Sequence, residues 1–226
     1  MKLVVAIGGG NIEKETTKSI DEYIVSKVNK KEKKVLLIPI ASNDSAHYIE
    51  VFTNYYSRFD CKIDVLRLSS ETNENLIRSK IFTADIIYIG GGNTSKMLRV
   101  FKRTKVNEFL KMAYEKGIII AGISAGAAGL FSCCLSDANR STNINNPLSI
   151  INGMGIVPFF MTPHYNNEER KQFDIEVTQI DKIGIAIEDD VAFVYEDEII
   201  KVIKSNLNNN VFIFENNKKE IIKEQA

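Results

Sequence analysis

Short apolar segments alternate with helical patterns through the first half of the chain. Five segments are predicted to be β-strands: residues 3–7, 35–38, 63–68, 86–89 and 118–121. Between the first two, Ile20, Tyr23, Ile24 and Val28 recur at spacings of three and four, as on one face of a helix. Most of the strand segments are apolar throughout, which indicates burial on both faces. Alternation with helices then predicts right-handed β-α-β units and a mainly parallel sheet.

The pattern changes after about residue 133. Residues 139–147 contain four Asn and are predicted to form a surface loop. From residue 185 onward strand patterns follow one another directly, at 191–195, 199–203, 211–214 and 221–222. Turn residues such as those at 196–197 and 208–210 separate them, which predicts antiparallel hairpins at a sheet edge. Neither a repeat nor a linker is visible, so we expect a single domain over residues 1–226.

Charge and cysteine content argue against several classes of protein. The chain has 29 basic and 29 acidic residues, so it lacks the basic excess that nucleic-acid binding through a charged face requires. Its three cysteines have no zinc-ligand spacing, and we expect no metal site. No apolar run approaches about 18 residues and no signal segment opens the chain. We therefore expect no membrane partner and a cytoplasmic location.

Four small or polar segments follow predicted strands. They are residues 8–11, 41–42, 90–94 and 122–126, and they include two triple-glycine turns. Ligands of an open parallel sheet bind at the carboxyl ends of its strands. We therefore expect the four segments to meet in one crevice.

The segment Gly122-Ile123-Ser124-Ala125-Gly126 has the pattern of a nucleophile elbow, a tight turn between a strand and a helix. Such a turn needs small neighbours and presents its serine at the edge of the sheet. The pattern predicts Ser124 as a nucleophile. The alternative is a glycine-rich turn in which Ser124 only caps a helix.

A serine nucleophile needs a base, and the chain has two histidines. His164 follows Pro163 and the apolar run 156–161, which places it at the end of a strand. His47 lies at the start of a predicted helix, where histidines are often solvated, and it is the second choice. A carboxylate must orient the base, and the candidates are Asp137 and Asp189.

An oxyanion hole needs two backbone N–H donors that point to one place. Ala125, next to the nucleophile, is one candidate, and Gly91 or Gly92 of the second triple-glycine turn is the other. The competing interpretation of that turn is a phosphate cradle. Neither triple-glycine turn completes a dinucleotide-binding or Walker sequence, so nucleotide binding is the weaker hypothesis.

Three motifs, taken together, resemble those of the peptidase E family, the serine α-aspartyl dipeptidases, with cyanophycinase as a more distant relative. The motifs are residues 89–94, residues 122–127 and Pro163-His164-Tyr165, in this order. The resemblance covers nearly the whole chain. It implies a three-layer α/β/α fold like that of the class I glutamine amidotransferases, with serine where those enzymes have cysteine. It also implies Ser124 as nucleophile, His164 as base, Asp137 or Asp189 as the third member, and Gly92 with Ala125 as the oxyanion pair.

The resemblance further implies a serine dipeptidase that hydrolyses small peptides with an N-terminal aspartate and needs no cofactor. Arg170 is expected to bind the acidic side chain, and Asn93 and Thr94 are expected to line the substrate site. The alternative for Arg170 is a surface ion pair with Glu168 or Glu169. Residues 129–132 lack the Cys-Trp-Phe sequence that dipeptidase members often have, which weakens the expected Asp-X specificity.

Two other functions stay open at this point. One is an inactive family member that binds an acidic metabolite. The other is a glutamine amidotransferase-like subunit, although those enzymes need a thiolate where this chain has Ser124. The partner we expect is a small peptide substrate. The family includes monomers and dimers, so the oligomeric state, monomer or homodimer, stays open.

Overall fold

The structure is a computed structural model, and it describes residues 1–138 and 146–223. The strands are β1 (Leu3–Ile7), β2 (Lys33–Ile38), β3 (Cys61–Val65), β4 (Ile86–Ile89), β5 (Ile119–Ile123), β6 (Phe131–Ser136), β7 (Ser149–Asn152), β8 (Val157–Thr162), β9 (Gly184–Ile187), β10 (Val191–Glu196), β11 (Ile199–Lys204), β12 (Val211–Glu215) and β13 (Lys218–Ile221). The α-helices are α1 (Lys18–Ser26), α2 (Ala46–Ser57), α3 (Glu74–Thr83), α4 (Thr94–Arg103), α5 (Val106–Glu115), α6 (Ala125–Ala128) and α7 (Phe173–Glu176). Short 3₁₀ helices lie at Ile40–Ser42, Glu168–Gln172 and Val177–Gln179.

The first sheet has seven strands in the order β11-β10-β1-β5-β4-β2-β3. Five adjacent strands of this sheet, β1, β5, β4, β2 and β3, are parallel to one another. β10 runs antiparallel to β1 and forms a hairpin with β11 at the edge of the sheet. This arrangement confirms the predicted mainly parallel sheet with a C-terminal antiparallel edge hairpin.

Helices cover both faces of this sheet. Ile24 of α1 and Phe52 of α2 belong to the apolar cluster on one face. Ile81 of α3, Phe101 of α4 and Leu110 of α5 belong to the cluster on the other face. Each of these side chains is fully buried, and burial of one such side chain stabilises the fold by roughly 1.5–3 kcal/mol. The three-layer α/β/α prediction is confirmed.

A second sheet, which the sequence patterns did not predict, has six strands in the order β13-β12-β9-β8-β6-β7. Met161 and Ile185 on one of its faces join the same apolar cluster as α3, α4 and α5. Phe160 on the other face packs against Phe173 of α7, with 4.6 Å between the ring centroids. The β12–β13 hairpin forms one edge of this sheet, as the C-terminal patterns predicted. Most of the predicted loop at 139–147 lies outside the described residues.

The part of the chain that the structure describes contains no helix long and apolar enough to cross a membrane. The cytoplasmic location expected from the sequence stays a prediction.

Asp21 is a carboxyl group buried between α1 and α2. Thr17, Tyr55 and Tyr56 donate hydrogen bonds to it over 2.8, 3.1 and 2.6 Å. Burial raises the pKa of Asp21 from 3.8 to about 6, although the three hydrogen bonds act in the opposite direction. The folded protein therefore holds a proton on Asp21 at pH values where the unfolded chain has released it.

We expect this carboxyl to make the free energy of unfolding depend on pH. The stabilisation by the bound proton is complete below pH 3.8 and is lost as the pH rises through about 6. A shift of about two pKa units corresponds to about 3 kcal/mol, and Asp21→Asn should remove this contribution to the pH dependence. Urea unfolding at about pH 4, 5.5 and 7 measures it, and Asp60→Asn on the exposed surface is the matched control. Equal pH dependence in wild type and Asp21→Asn would contradict the prediction.

Candidate active site

Ser124 occupies a tight turn between β5 and α6. Its backbone has φ 54° and ψ −113°, a conformation that costs energy in any residue with a side chain. The Ser124 N–H donates to the carbonyl of Ile7 at the end of β1 over 2.9 Å. On its other side the turn touches β4, where a Cβ on Gly126 would lie 2.1 Å from the carbonyl oxygen of Ile89. The glycine therefore lets the turn sit between two strand ends.

Two hydrogen bonds connect three side chains that follow the ends of three strands. Ser124 Oγ is 2.7 Å from His164 Nε2, and His164 Nδ1 is 2.6 Å from Asp189 Oδ1. His164 follows β8 and Asp189 follows β9, which is the parallel neighbour of β8. Ser124 stands at the N-cap position of α6, but its side chain makes no capping hydrogen bond. The geometry is that of a nucleophile, a base and an orienting carboxylate.

Asp189 is partly buried and keeps its charge. Burial raises its pKa, but hydrogen bonds from His164 and Asn166 and the charge of nearby Arg170 lower the pKa more, so that it lies below the usual value. The carboxylate can therefore stabilise an imidazolium on His164. It also holds a proton on Nδ1, which leaves Nε2 free to accept the proton of Ser124.

Asp137, the other candidate for the third member, points elsewhere. Its Oδ2 accepts a hydrogen bond from Arg170 Nη2 over 2.9 Å, and Arg170 Nη1 donates to the carbonyl of Leu135 over 3.0 Å. Arg170 is only 3% exposed, so the alternative of a surface ion pair with Glu168 or Glu169 is wrong. Of the two carboxylates, Asp189 is the one that reaches His164.

Asp137 and Arg170 nevertheless belong to the same crevice as the serine. The crevice is lined by Gly92, Thr94, Ser124, Ala125, Ala128, Leu135, Ser136, Asp137, Pro163 and Arg170. Ala125 is the first residue of α6, so its N–H has no acceptor within the helix. Gly92 and Ala125 both line the crevice with Ser124, and their role as the oxyanion pair stays a prediction. The enclosed space is small, about 10 Å³, which is room for about one water molecule.

The remaining candidates divide between the crevice and the helices. Thr94 is buried and lines the crevice. Asn93 is the N-cap of α4, and its side-chain oxygen accepts a hydrogen bond from the Lys96 N–H over 2.8 Å. His47 is exposed on α2, with its Nε2 3.9 Å from Glu13. The second-choice histidine is therefore outside the site.

Two residues of the site were not assigned a role from the sequence. Asn166 donates from Nδ2 to Asp189 Oδ2 over 3.2 Å, and its Oδ1 accepts from the Asp189 N–H over 3.1 Å. Gly9 packs over the His164–Asp189 pair, where a Cβ would lie 1.9 Å from Asp189 Oδ1. The first triple-glycine turn indicated a ligand site at the end of β1, but in the structure its Gly9 allows close packing against His164 and Asp189. The one sequence feature that could have indicated Asn166 is its position two residues after His164.

Other cavities lie away from this site. A larger surface cavity of about 660 Å³ separates α7 and the residues after it from the β12–β13 hairpin, with Asp174, Lys182 and Lys219 among its lining residues. Within residues 1–138 and 146–223, no group of three or more His, Cys, Asp or Glu side chains is placed to hold a metal ion.

Comparison with known proteins gives one consistent family. The model of Peptidase family S51 matches residues 4–203. A Bacillus subtilis (strain 168) protein named "Uncharacterized peptidase YgaJ" is 31% identical over 173 residues, which cover 76% of this chain and 72% of the relative. Peptidase E of Nostoc sp. is 25% identical over 194 residues, or 80% of this chain and 76% of the relative.

A more distant relative and a solved structure are also similar to this chain. The Drosophila melanogaster protein named "Probable alpha-aspartyl dipeptidase" is 24% identical over 143 residues, or 61% of this chain and 54% of the relative. The crystal structure of a peptidase from an acI-B1 Actinobacterium superposes with a TM-score of 0.75 at 17% identity. The match covers 100% of this chain and 96% of that one, so the two share a fold.

The contacts of Asn166 lead to a prediction about the reactivity of Ser124. Asn166→Ala should slow the reaction of Ser124 with a small, neutral serine-reactive reagent roughly 5-fold, since a hydrogen bond of this kind contributes about 1 kcal/mol. The rate of covalent labelling, followed by mass spectrometry, measures this effect. Asn167→Ala, the exposed neighbour of the same type, is the control and should label at the wild-type rate. Identical rates for the two variants would remove Asn166 from the site.

Proposed function

Because this chain belongs to peptidase family S51, we propose that it is a serine peptidase that removes an N-terminal aspartate from small peptides, Asp-X dipeptides above all. The observation that carries the proposal is the line of hydrogen bonds from Ser124 through His164 to Asp189. The aspartate specificity is supported by the buried Arg170 beside Ser124 and by the printed name of the Drosophila relative.

In the proposed reaction Ser124 Oγ attacks the carbonyl carbon of the scissile bond while His164 Nε2 takes its proton. The electron pair of the carbonyl moves to its oxygen, which the N–H groups of Gly92 and Ala125 stabilise. The tetrahedral intermediate collapses, the C–N bond breaks, and His164 gives the proton to the leaving amine. Water, activated by His164, then attacks the acyl-enzyme and releases the aspartate and Ser124.

Recognition of an acidic side chain requires a cation that water does not already satisfy. Arg170 is buried, and its Nε has no hydrogen-bond partner within the described residues. An unsatisfied buried donor costs roughly 1–3 kcal/mol, so a carboxylate that reaches it would bind favourably. A guanidinium also offers two parallel donors to one carboxylate, which a lysine cannot do.

The first test addresses the nucleophile and the base. Ser124→Ala and His164→Ala should each lower kcat for Asp-Leu by roughly three orders of magnitude or more, because each removes a group that acts in the bond-breaking step. The double variant should be little worse than either single one, since the two residues act as a unit. Steady-state kinetics on purified variants, with circular dichroism to confirm folding, give the comparison.

Multiplicative losses in the double variant would argue against a shared mechanism. Two further results would favour the other functions considered above. Wild-type protein that resists labelling at Ser124 would favour an inactive, metabolite-binding member. Release of ammonia from glutamine by the purified protein would favour an amidotransferase-like subunit.

The second test addresses Arg170. Arg170→Lys should lower kcat/KM for Asp-Leu by a factor that corresponds to roughly 2–4 kcal/mol, because a single ammonium replaces a planar donor that is buried. Labelling of Ser124 by a small, neutral reagent should stay near the wild-type rate. Arg103→Lys on the exposed end of α4 is the matched control. An Arg170→Lys enzyme that cleaves Asp-Leu as well as wild type would show that Arg170 does not determine the specificity for aspartate.

A further inference from the structure

Asp137 shares the crevice with Arg170 and Ser124, and the proposed reaction gives it no role. Its side chain is 49% exposed, whereas that of Arg170 is 3% exposed. Of the crevice residues that the structure describes, Asp137 carries the one carboxylate and Arg170 the one permanent cation. We infer that Asp137 is a specificity residue that binds the α-ammonium group of the substrate. The inference rests on the proposed function and names the second half of its substrate site.

The covalent structure of an N-terminal aspartate places two opposite charges next to the scissile bond. The α-nitrogen is two bonds from the carbonyl carbon, at about 2.5 Å, and the carbon of the β-carboxylate is three bonds away, within about 4 Å. Both charges therefore enter the crevice together when Ser124 Oγ attacks that carbon. Each charge gives up water when it enters the crevice, so each is stabilised there by a partner of opposite sign.

The Asp137–Arg170 pair has the charges that such a residue requires. In the free protein the two side chains neutralise each other over 2.9 Å. The N-terminal aspartate of the substrate carries one positive group, its α-ammonium, and one negative group, its β-carboxylate. If Arg170 takes the β-carboxylate and Asp137 takes the ammonium, one ion pair is replaced by two. No charge is left without a partner.

The hydrogen bonds of Arg170 indicate how the exchange occurs. Its Nη2 already donates to Asp137, so a substrate carboxylate that binds this nitrogen must displace the Asp137 carboxylate. Arg170 is fixed by its hydrogen bond to the Leu135 carbonyl as well as by burial. Asp137 is half-exposed, so its side chain is the member that turns away from Arg170 and toward the ammonium.

Burial also predicts which substrate group matters more. A substrate without the β-carboxylate separates Asp137 from Arg170 and leaves a buried cation alone, which is costly. A substrate without the ammonium leaves Asp137 unpaired, but water reaches this side chain. Wild type should therefore discriminate more strongly against Ala-Leu than against succinyl-Leu, which is Asp-Leu without its amino group.

The test compares kcat/KM for Asp-Leu and succinyl-Leu in wild type, Asp137→Asn and the control Glu168→Gln, an exposed acid nearby. Wild type and the control should prefer Asp-Leu by roughly 10-fold or more, as a charged hydrogen bond predicts. Asp137→Asn should lose most of this preference, with a larger loss on Asp-Leu than on succinyl-Leu. Asp137→Glu, which keeps the carboxylate, should restore it.

Equal losses on both substrates in Asp137→Asn would overturn the inference, because a residue that only supports the fold does not distinguish them. Equal use of both substrates by wild type would overturn it as well. Labelling of Ser124 by a small, neutral reagent separates this failure from that of the proposed function. Labelled wild type that hydrolyses neither peptide removes the substrate assignment and this inference. Wild type that does not label contradicts the serine mechanism itself. If Asp137→Asn does not fold, Asp137→Ser, which also removes the carboxylate, is compared with Asp137→Glu in its place.

Discussion

The close approach of backbone at the carboxyl ends of β1, β4 and β5 is the constraint on which the site depends. The turn at Ser124 fits there because its N–H is satisfied by Ile7 and because Gly126 has no Cβ to strike Ile89. The positive φ of Ser124 is an unfavourable conformation that the surrounding contacts must hold. This backbone conformation holds the Ser124 hydroxyl at the edge of the sheet, where an unstrained turn would not place it. The fully buried parallel strands therefore contribute to chemistry by fixing one side chain.

The other two side chains of this hydrogen-bonded series, His164 and Asp189, follow strands of the second sheet. β8 and β9 are parallel neighbours paired as far as Thr162 and Ala186, so His164 and Asp189 follow at the same edge. Backbone hydrogen bonds then fasten this edge to the first triple-glycine turn. The His164 N–H donates to the Gly8 carbonyl over 3.3 Å, and the Asp190 N–H donates to the Gly9 carbonyl over 2.9 Å. The alignment of Ser124 with His164 thus depends on contacts between the two sheets that are made at glycines.

How much of this could be predicted depended on the physical signal that each element leaves in the sequence. Strands buried on both faces, such as β1 and β4, leave continuous apolar runs, and their bounds were predicted correctly. β6 reads Phe-Ser-Cys-Cys-Leu-Ser and β7 is partly exposed, so neither has a strong pattern, and the second sheet went unseen. Asp137 and Asp189 both lie in loops, where no periodicity tells one carboxylate from another.

The two carboxylates are distinguished by what holds them in place. Asp189 accepts hydrogen bonds from His164 and Asn166 on its two side-chain oxygens, and its own N–H is held by Asn166. Turning it would break all of these contacts together, so it suits a role that demands one orientation of the imidazole. Asp137 is half-exposed and contacts Arg170, a partner that an incoming carboxylate can replace. The fixed carboxylate is therefore suited to catalysis and the exchangeable one to recognition, although the residues offer identical chemistry.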